Sequence, residues 1–131
     1  MTDAHLALVV RDHDEAIGFH VDVLGFRLLE GVHQPEQDKR WVLVQPSGGG
    51  VSLLLARATS DAQNAVVGDQ TGGRVFLFLE TDDLRADLAR LRRAGIRIIR
   101  EPRLADCGIA AVFADLYGNL RDLIQRPAEA G

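Results

Sequence analysis

The hydrophobic pattern of this chain occurs twice. The apolar run 6–10 predicts a buried strand, and the helical spacing of apolar residues after Asp12 predicts a helix that ends at Gly25. The run 75–80 and a second helical pattern that ends at Gly95 repeat the same order, with Asp12 expected to cap the first helix and Asp82 or Asp83 the second. The two glycines are 70 positions apart, which indicates an internal duplication.

Three further strands are predicted after each helix. They are expected at 26–32, 40–45 and 51–56 in the first half, and at 96–100, 109–114 and 120–125 in the second. Polar residues 34–38 predict a turn, Glu101-Pro102-Arg103 is expected to end a strand, and 127–131 are expected to form a frayed tail. The chain is therefore predicted to be one α+β domain of two βαβββ modules, at about 4–57 and 74–126, joined by a linker at 58–73.

Modules of this kind cannot bury both faces of their sheets alone. Pairing would let the helices cover the outside while the inner sheet faces curve into a cup around a pocket. Clefts between similar modules are common ligand sites. We therefore expect a binding site for a small molecule where the modules meet.

Composition narrows the choice of partner and compartment. Apolar residues make up 47% of the 131 residues, and the formal net charge of −4 with no basic patch argues against nucleic acid. Cys107 is the single cysteine, so no intrachain disulfide forms. No signal-like start and no long apolar run are seen, so we expect a cytoplasmic protein without membrane contact.

Several segments of the chain resemble the vicinal oxygen chelate superfamily, which includes glyoxalase I, extradiol dioxygenases, fosfomycin-resistance enzymes and bleomycin-binding proteins. The matching segments are His5-Leu6-Ala7-Leu8-Val9-Val10-Arg11-Asp12, Glu15-Ala16-Ile17-Gly18-Phe19-His20, Asp22-Val23-Leu24-Gly25-Phe26, Gly73-Arg74-Val75-Phe76 and Asp115-Leu116-Tyr117-Gly118-Asn119-Leu120-Arg121-Asp122-Leu123. The resemblance spans almost the whole chain. It implies the paired-module fold, which supports many different reactions in this superfamily.

The resemblance also implies where a divalent metal would bind. The metal enzymes of the superfamily carry one ligand on the first and the last strand of each module, and those positions here are His5, Ser52, Phe76 and Asp122. Imidazole and carboxylate are good ligands, but serine is a poor one and phenylalanine has no donor atom. Catalytic metals normally need three protein ligands. We therefore expect no cofactor, with a metal held by His5 and Asp122 plus a ligand from elsewhere as the alternative.

His5 and Asp122 are the candidate catalytic residues. His5 begins a buried strand and is either a hydrogen-bonded core histidine, a polar group of the pocket or a ligand. Asp122 lies within an apolar strand, so it is expected to have a partner, for which Arg121, Arg40 and His5 are candidates. A pair formed by His5 and Asp122 would resemble a general base with its orienting group.

Aromatic residues complete the predicted pocket. Phe76 and Phe78 alternate along one strand and would form an apolar wall if that side faces the pocket, or ordinary core if it does not. Trp41, beside Arg40, fits either a pocket rim or a core filler. The predicted pocket lining is thus His5, Arg40, Trp41, Ser52, Phe76, Phe78 and Asp122.

The leading hypothesis is a metal-independent binder of a small hydrophobic or aromatic molecule, similar to the drug-binding members of the superfamily. It would act as a homodimer or as a compact monomer with paired modules. The competing hypothesis is an enzyme similar to glyoxalase or the dioxygenases. It would use either a metal as a Lewis acid or metal-free acid–base catalysis through His5 and Asp122. A third possibility is an interaction module with a vestigial pocket.

Overall fold

The structure, a computed structural model, describes residues 1–34, 39–106 and 108–127, with only the backbone described for 32–34 and 39. The first half contains a strand, a helix that continues as a π-helical turn, and three strands: β1 His5–Val10, α1 His13–Gly18 with the turn Phe19–Val23, β2 Arg27–Gln34, β3 Lys39–Gln45 and β4 Ser52–Arg57. A short helix, α2 Asp61–Val66, precedes the second half, which contains β5 Val75–Glu80, α3 Leu84–Arg93, β6 Ile98–Ala105, β7 Gly108–Ala114 and β8 Leu120–Gln125.

Each half forms its own four-stranded sheet. The strand orders are β1-β4-β3-β2 and β5-β8-β7-β6, with the first and last strands of each half parallel and the others antiparallel. A parallel pair cannot be joined by a tight turn, so the helix and the intervening hairpin form the connection. The α+β class and the two βαβββ modules predicted from the sequence are confirmed.

The predicted helix boundaries are also confirmed. The Asp12 carboxylate accepts a hydrogen bond from the Glu15 amide at 2.8 Å, and Asp83 accepts one from Ala86 at 3.1 Å, so each helix begins with an acidic cap. Gly25 ends the first helical segment at a φ of 74°, a conformation that only glycine adopts without strain.

The strand predicted to end at Glu101-Pro102-Arg103 continues through it, since β6 extends to Ala105. Its pairing with β7 shifts register between Arg100 and Arg103. Proline has no backbone N–H to donate to a sheet, and it is therefore found at edges and irregularities. β6 is an edge strand, so the proline interrupts its hydrogen bonds with β7 locally without ending the strand.

One face of the first sheet is buried beneath its helix. Leu8 and Val10 of β1 and Leu53 and Leu55 of β4 are buried, whereas Ala7, which precedes Leu8, is exposed. Since side chains alternate across a strand, the buried residues share the face that packs against α1. Burial of each such leucine stabilises the fold by about 1.5–3 kcal/mol.

His13, the first residue of α1, ties that helix to the sheet. Its Nε2 lies 3.0 Å from the Leu55 carbonyl oxygen and donates a hydrogen bond to it. Burial lowers the pKa of His13 below its usual value, and the positive charges of Arg40 and Arg57 lower it further. The neutral imidazole is therefore the form that the folded state favours.

The second sheet buries an ion pair on its corresponding face. Arg121 of β8 is 0% exposed, and both its Nε and its Nη2 donate to Asp115 Oδ2, at 3.2 and 3.0 Å. The other Asp115 oxygen accepts the backbone amides of Tyr117, Gly118 and Asn119 at 3.0–3.1 Å. Asp115 therefore fixes both the β7–β8 turn and the buried guanidinium.

The chain divides into two compact units, Met1–Val67 and Gly68–Gly131. The division lies inside the predicted linker, and α2 belongs to the first unit.

Three parts of the sequence predictions lie outside the described residues: positions 35–38 of the predicted polar turn, Cys107, and positions 128–131 of the predicted tail. Over the described ranges, no helix is long and apolar enough to cross a membrane.

Replacement of Asp115 by asparagine tests the buried ion pair. The free energy of unfolding is expected to fall by about 3–5 kcal/mol, because the substitution leaves the Arg121 charge buried without a compensating carboxylate. Urea denaturation measures this loss. The double variant Asp115→Asn/Arg121→Met should recover part of it, and Asp14→Asn, at an exposed ion pair, should hardly change the midpoint. Equal midpoints for Asp115→Asn and the wild type would contradict this role.

Acid should weaken the fold through His13. Because its folded pKa lies below the unfolded value of 6.5, the unfolded state binds the proton more tightly, and the stabilisation present above pH 6.5 is lost as the pH falls below it. Unfolding free energies measured from pH 7.5 to pH 5 should therefore decline more steeply for the wild type than for His13→Asn. Parallel curves would show that His13 does not contribute this dependence.

Candidate functional site

Four side chains of the first unit lie together on the sheet face opposite α1. We call His5, Ser52, Trp41 and Glu30 the His5 cluster. His5 Nδ1 and Ser52 Oγ are 2.7 Å apart and share a hydrogen bond, and Trp41 Nε1 donates to Glu30 Oε2 at 2.5 Å. The His5 and Trp41 rings meet edge to face, with centroids 6.3 Å apart and an interplanar angle of 79°.

The sheet register explains how the cluster forms. His5 at the start of β1 is the direct partner of Ser52 at the start of β4. Glu30 is opposite Leu43, and Trp41 is two residues from Leu43 on the same side of β3. Three of the predicted pocket residues, His5, Ser52 and Trp41, are thereby brought together.

Ser52 holds one nitrogen of the His5 imidazole. Its hydroxyl is able to donate to Nδ1 or accept from it, depending on the tautomer, and its side chain is 4% exposed. His5 itself is exposed, and no described residue forms a hydrogen bond with its Nε2. A bound molecule would thus meet an oriented imidazole with Nε2 available as donor or acceptor.

Arg40 does not join this cluster. Its Nη1 donates to Asp14 Oδ1 of α1 at 2.7 Å, on the helix side of the sheet, and this contact lowers the pKa of Asp14. Arg40 and Trp41 are neighbours in a strand, so their side chains point to opposite faces. The structure therefore places Arg40 away from His5 and Trp41, contrary to the predicted pocket lining.

A second group lies in a row across the other sheet. Asp122 of β8 is the register partner of Phe78 of β5 and of Val112 of β7, and Val112 is in turn opposite Arg100 of β6. We call these residues the Asp122 row. Phe78 is 61% exposed, which makes it an uncovered aromatic surface directly beside the Asp122 carboxylate.

Burial raises the pKa of the Asp122 carboxyl above its usual value, while the charge of Arg100 and the backbone N–H of Leu123 act in the opposite direction. Oδ1 of Asp122 is covered, yet it has no hydrogen-bond partner among the described residues. A covered carboxylate oxygen without a donor is an unfavourable arrangement. Asp122 is therefore the polar group of this face that most needs an external partner.

Arg121, one of the predicted partners of Asp122, pairs with Asp115 instead. The reason is geometric, since successive residues of a strand point to opposite faces. The guanidinium carbon of Arg121 also lies 5.8 Å from the centre of the Phe76 ring. Phe76 is thus half-buried beside a cation, in different surroundings from the exposed Phe78.

A register shift between Val75 and Leu77 accounts for this difference. The prediction that Phe76 and Phe78 form one wall assumed a regular strand, but the shift leaves Phe76 out of the ladder. The register also makes Phe78, rather than Phe76, the partner of Asp122. The structure therefore does not give the two rings a common environment.

The four positions that the superfamily uses for a metal do not supply a metal centre here. Ser52 Oγ is engaged with His5, and neither Phe76 nor Phe78 has a donor atom to accompany Asp122. Within the described ranges, no three His, Cys, Asp or Glu side chains are grouped so that they could hold an ion. The residues present therefore do not fit the metal.

Sequence reasoning missed Glu30, Arg100 and the role of Asp115. Glu30 and Arg100 lie on strands predicted from the sequence, but their neighbours depend on strand pairing. Asp115 had a local signal, because an aspartate followed by a Gly-Asn pair is typical of a turn stabilised by its side chain. His5 and Asp122 belong to different units, and their pairing stays a prediction.

Comparisons with known proteins agree with this architecture. The family model described as Glyoxalase/Bleomycin resistance protein/Dioxygenase superfamily matches residues 4–123. An uncharacterized protein of Shewanella frigidimarina (strain NCIMB 400) is 57% identical over 122 residues, covering 92% of this chain and 90% of its own.

Solved structures give the same result. TnmS3, an antibiotic binding protein from Streptomyces sp. CB03234, is 32% identical, with a TM-score of 0.70 and coverage of 97% of this chain and 99% of its own. A glyoxalase/bleomycin resistance protein from the same organism is 31% identical, with a TM-score of 0.72 and coverage of 95% and 100%. With the duplicated βαβββ units and a family match over nearly its whole length, the chain belongs to the glyoxalase/bleomycin resistance protein/dioxygenase superfamily.

Proposed function

We propose that this protein is a metal-independent binder of small, largely apolar aromatic molecules. The observation that carries the proposal is an exposed aromatic side chain next to a polar group in each unit. Trp41 beside His5 and Phe78 beside Asp122 are 42% and 61% exposed. Sequestration of a ligand requires shape and a few oriented polar groups but no reacting metal, which agrees with the incomplete donor set.

In each unit, the polar group next to the exposed ring would orient a bound molecule. His5 Nε2 offers one hydrogen-bonding position in the first unit, and Asp122 Oδ1 offers another in the second. Apolar sites with a small number of fixed polar groups are the usual form of small-molecule sites. The similarity to TnmS3, whose description is antibiotic binding, supports the same general role.

The ligand class is proposed to be planar and hydrophobic, because an exposed indole and an exposed phenyl ring both offer flat apolar surfaces. The protein is further proposed to act in the cytoplasm as a homodimer. Neither nucleic acid nor a membrane is a proposed partner, since the net charge is −4.

Quenching of Trp41 fluorescence tests the binder, because Trp41 is the single tryptophan. Titration with a panel of anthraquinone and naphthoquinone antibiotics should show saturable quenching by at least one compound. Phe78→Ala should weaken that binding by about tenfold, since an aromatic contact and its buried area are lost. Leu116→Ala, at another exposed apolar residue of the second unit, is the matched control and should leave the affinity unchanged.

Metal dependence is tested in the same assay. Addition of EDTA should leave the affinity unchanged, and protein purified without chelator should contain less than roughly a tenth of an equivalent of any transition metal. A stoichiometric metal whose removal abolishes binding would refute metal independence. Absence of saturable quenching across the panel would refute binding of this ligand class.

A second candidate function is metal-free acid–base catalysis. The hydrogen bond of 2.7 Å between Ser52 Oγ and His5 Nδ1 favours it, because an oriented imidazole is the usual general base of isomerases and lyases. Asp122 is the other residue proposed for this role.

Exchange of solvent deuterium into carbons next to a carbonyl, followed by NMR over a panel of 2-oxo acids and ketones, tests this candidate. If His5 is the base, His5→Ala should lower the exchange rate by about 10²–10⁴-fold, and Ser52→Ala should lower it less, because the base remains but loses its orientation. Wild-type protein that exchanges no faster than an equal concentration of free imidazole would remove this function.

A further inference from the structure

The Asp122 carboxylate has a defined neighbourhood in the second unit. Its Oδ1 is covered and receives no hydrogen bond from any described residue. Arg121, the adjacent cation in sequence, is on the opposite face and bound to Asp115. The backbone N–H of Leu123 acts on the carboxylate as a whole, but no described residue forms a hydrogen bond with Oδ1.

Phe78, the neighbour of Asp122 on β5, offers an exposed aromatic ring. It is the register partner of Asp122 on this edge strand, and the phenyl ring is 61% exposed. Phe78 thus presents an aromatic face next to a carboxylate that has one unpaired oxygen, so a single bound group is able to interact with both residues. Val112, the other register partner of Asp122, is buried and adds an apolar base to the site.

One chemical group, a protonated amine, interacts favourably with both a carboxylate and an aromatic ring. A protonated amine donates charge-assisted hydrogen bonds to a carboxylate, and the same cation is attracted by the negative face of an aromatic ring. Neutral donors would satisfy the carboxylate but gain less from the ring. We infer that Asp122 and Phe78 form a subsite for a protonated amine carried by an otherwise apolar ligand. This inference rests on the proposed function as a small-molecule binder.

Arg100 is the one charge of the row that would oppose such a ligand. It lies two strands from Asp122, with Val112 between them, and its side chain is exposed. Salt screens an exposed charge at that distance much more than it screens a covered carboxylate in direct contact. Arg100 therefore weakens the attraction for a cation without abolishing it, and Arg100→Gln should strengthen binding of the amine.

The inference is tested with two ligands that differ only in their polar group. Naphthalen-2-ylmethylamine is protonated at pH 7.5, whereas naphthalen-2-ylmethanol is neutral and of nearly the same shape. Isothermal titration of the full-length protein should show the amine binding about tenfold tighter than the alcohol. Asp122→Asn should bring the two affinities together, mainly by weakening the amine.

Control variants separate this effect from net charge and from misfolding. Asp82→Asn removes one exposed carboxylate from the same unit and should keep the tenfold preference. Phe78→Leu keeps an apolar side chain but removes the ring, so it should reduce the preference by about threefold. A melting temperature for each variant within a few degrees of wild type shows that the fold is retained.

The outcomes distinguish the two proposals. Equal binding of amine and alcohol by the wild type would overturn the amine subsite but would leave the proposed binder intact. A preference that survives Asp122→Asn would also overturn the subsite, because the cation would then be recognised elsewhere. If neither compound binds, and the quinone panel fails as well, both proposals fall together.

Discussion

The alternation of side chains across two sheets, each with one face covered by its own helix, is the constraint from which the other features of this protein follow. Leu53 and Leu55 point toward α1, so Ser52 must point away from it. In the second unit Arg121 points to the buried side, so Asp122 must point to the other. The polar and aromatic groups of interest occupy the faces opposite the helices because the helix-covered faces are filled by the core.

The buried pair of Asp115 and Arg121 shows how strictly this constraint operates. Placing a guanidinium in the core is costly unless a carboxylate and further hydrogen bonds compensate it, and Asp115 supplies both while also closing the β7–β8 turn. The pair closes the turn that leads into β8, the strand that carries Asp122 next to Phe78. A feature of the core therefore positions a residue of the candidate site without contacting any ligand.

The candidate site combines oriented polar groups with exposed rings. Two of the four candidate metal positions, Ser52 and Phe76, carry a hydroxyl that is bound to His5 and a ring without a donor atom. This donor set is poorly suited to an ion and well suited to holding an apolar molecule with a few polar substituents. The oriented imidazole of His5 is the feature that a binder and an acid–base enzyme would share, so the response to substitution of His5 separates the two functions.

Local patterning was sufficient to predict the two modules, the acidic helix caps and the glycine stops, because each depends on residues close together in the chain. It also proposed His5, Ser52, Trp41 and Asp122 as candidates, and the structure brings the first three together. It failed where strand pairing, or the choice of which sheet face is covered, determines the neighbours. The register shift beside Phe76 depends on how β5 pairs with β8. The contacts of Arg40 with Asp14 and of Arg121 with Asp115 depend on which face of each sheet the core occupies, and that is decided only when the chain folds.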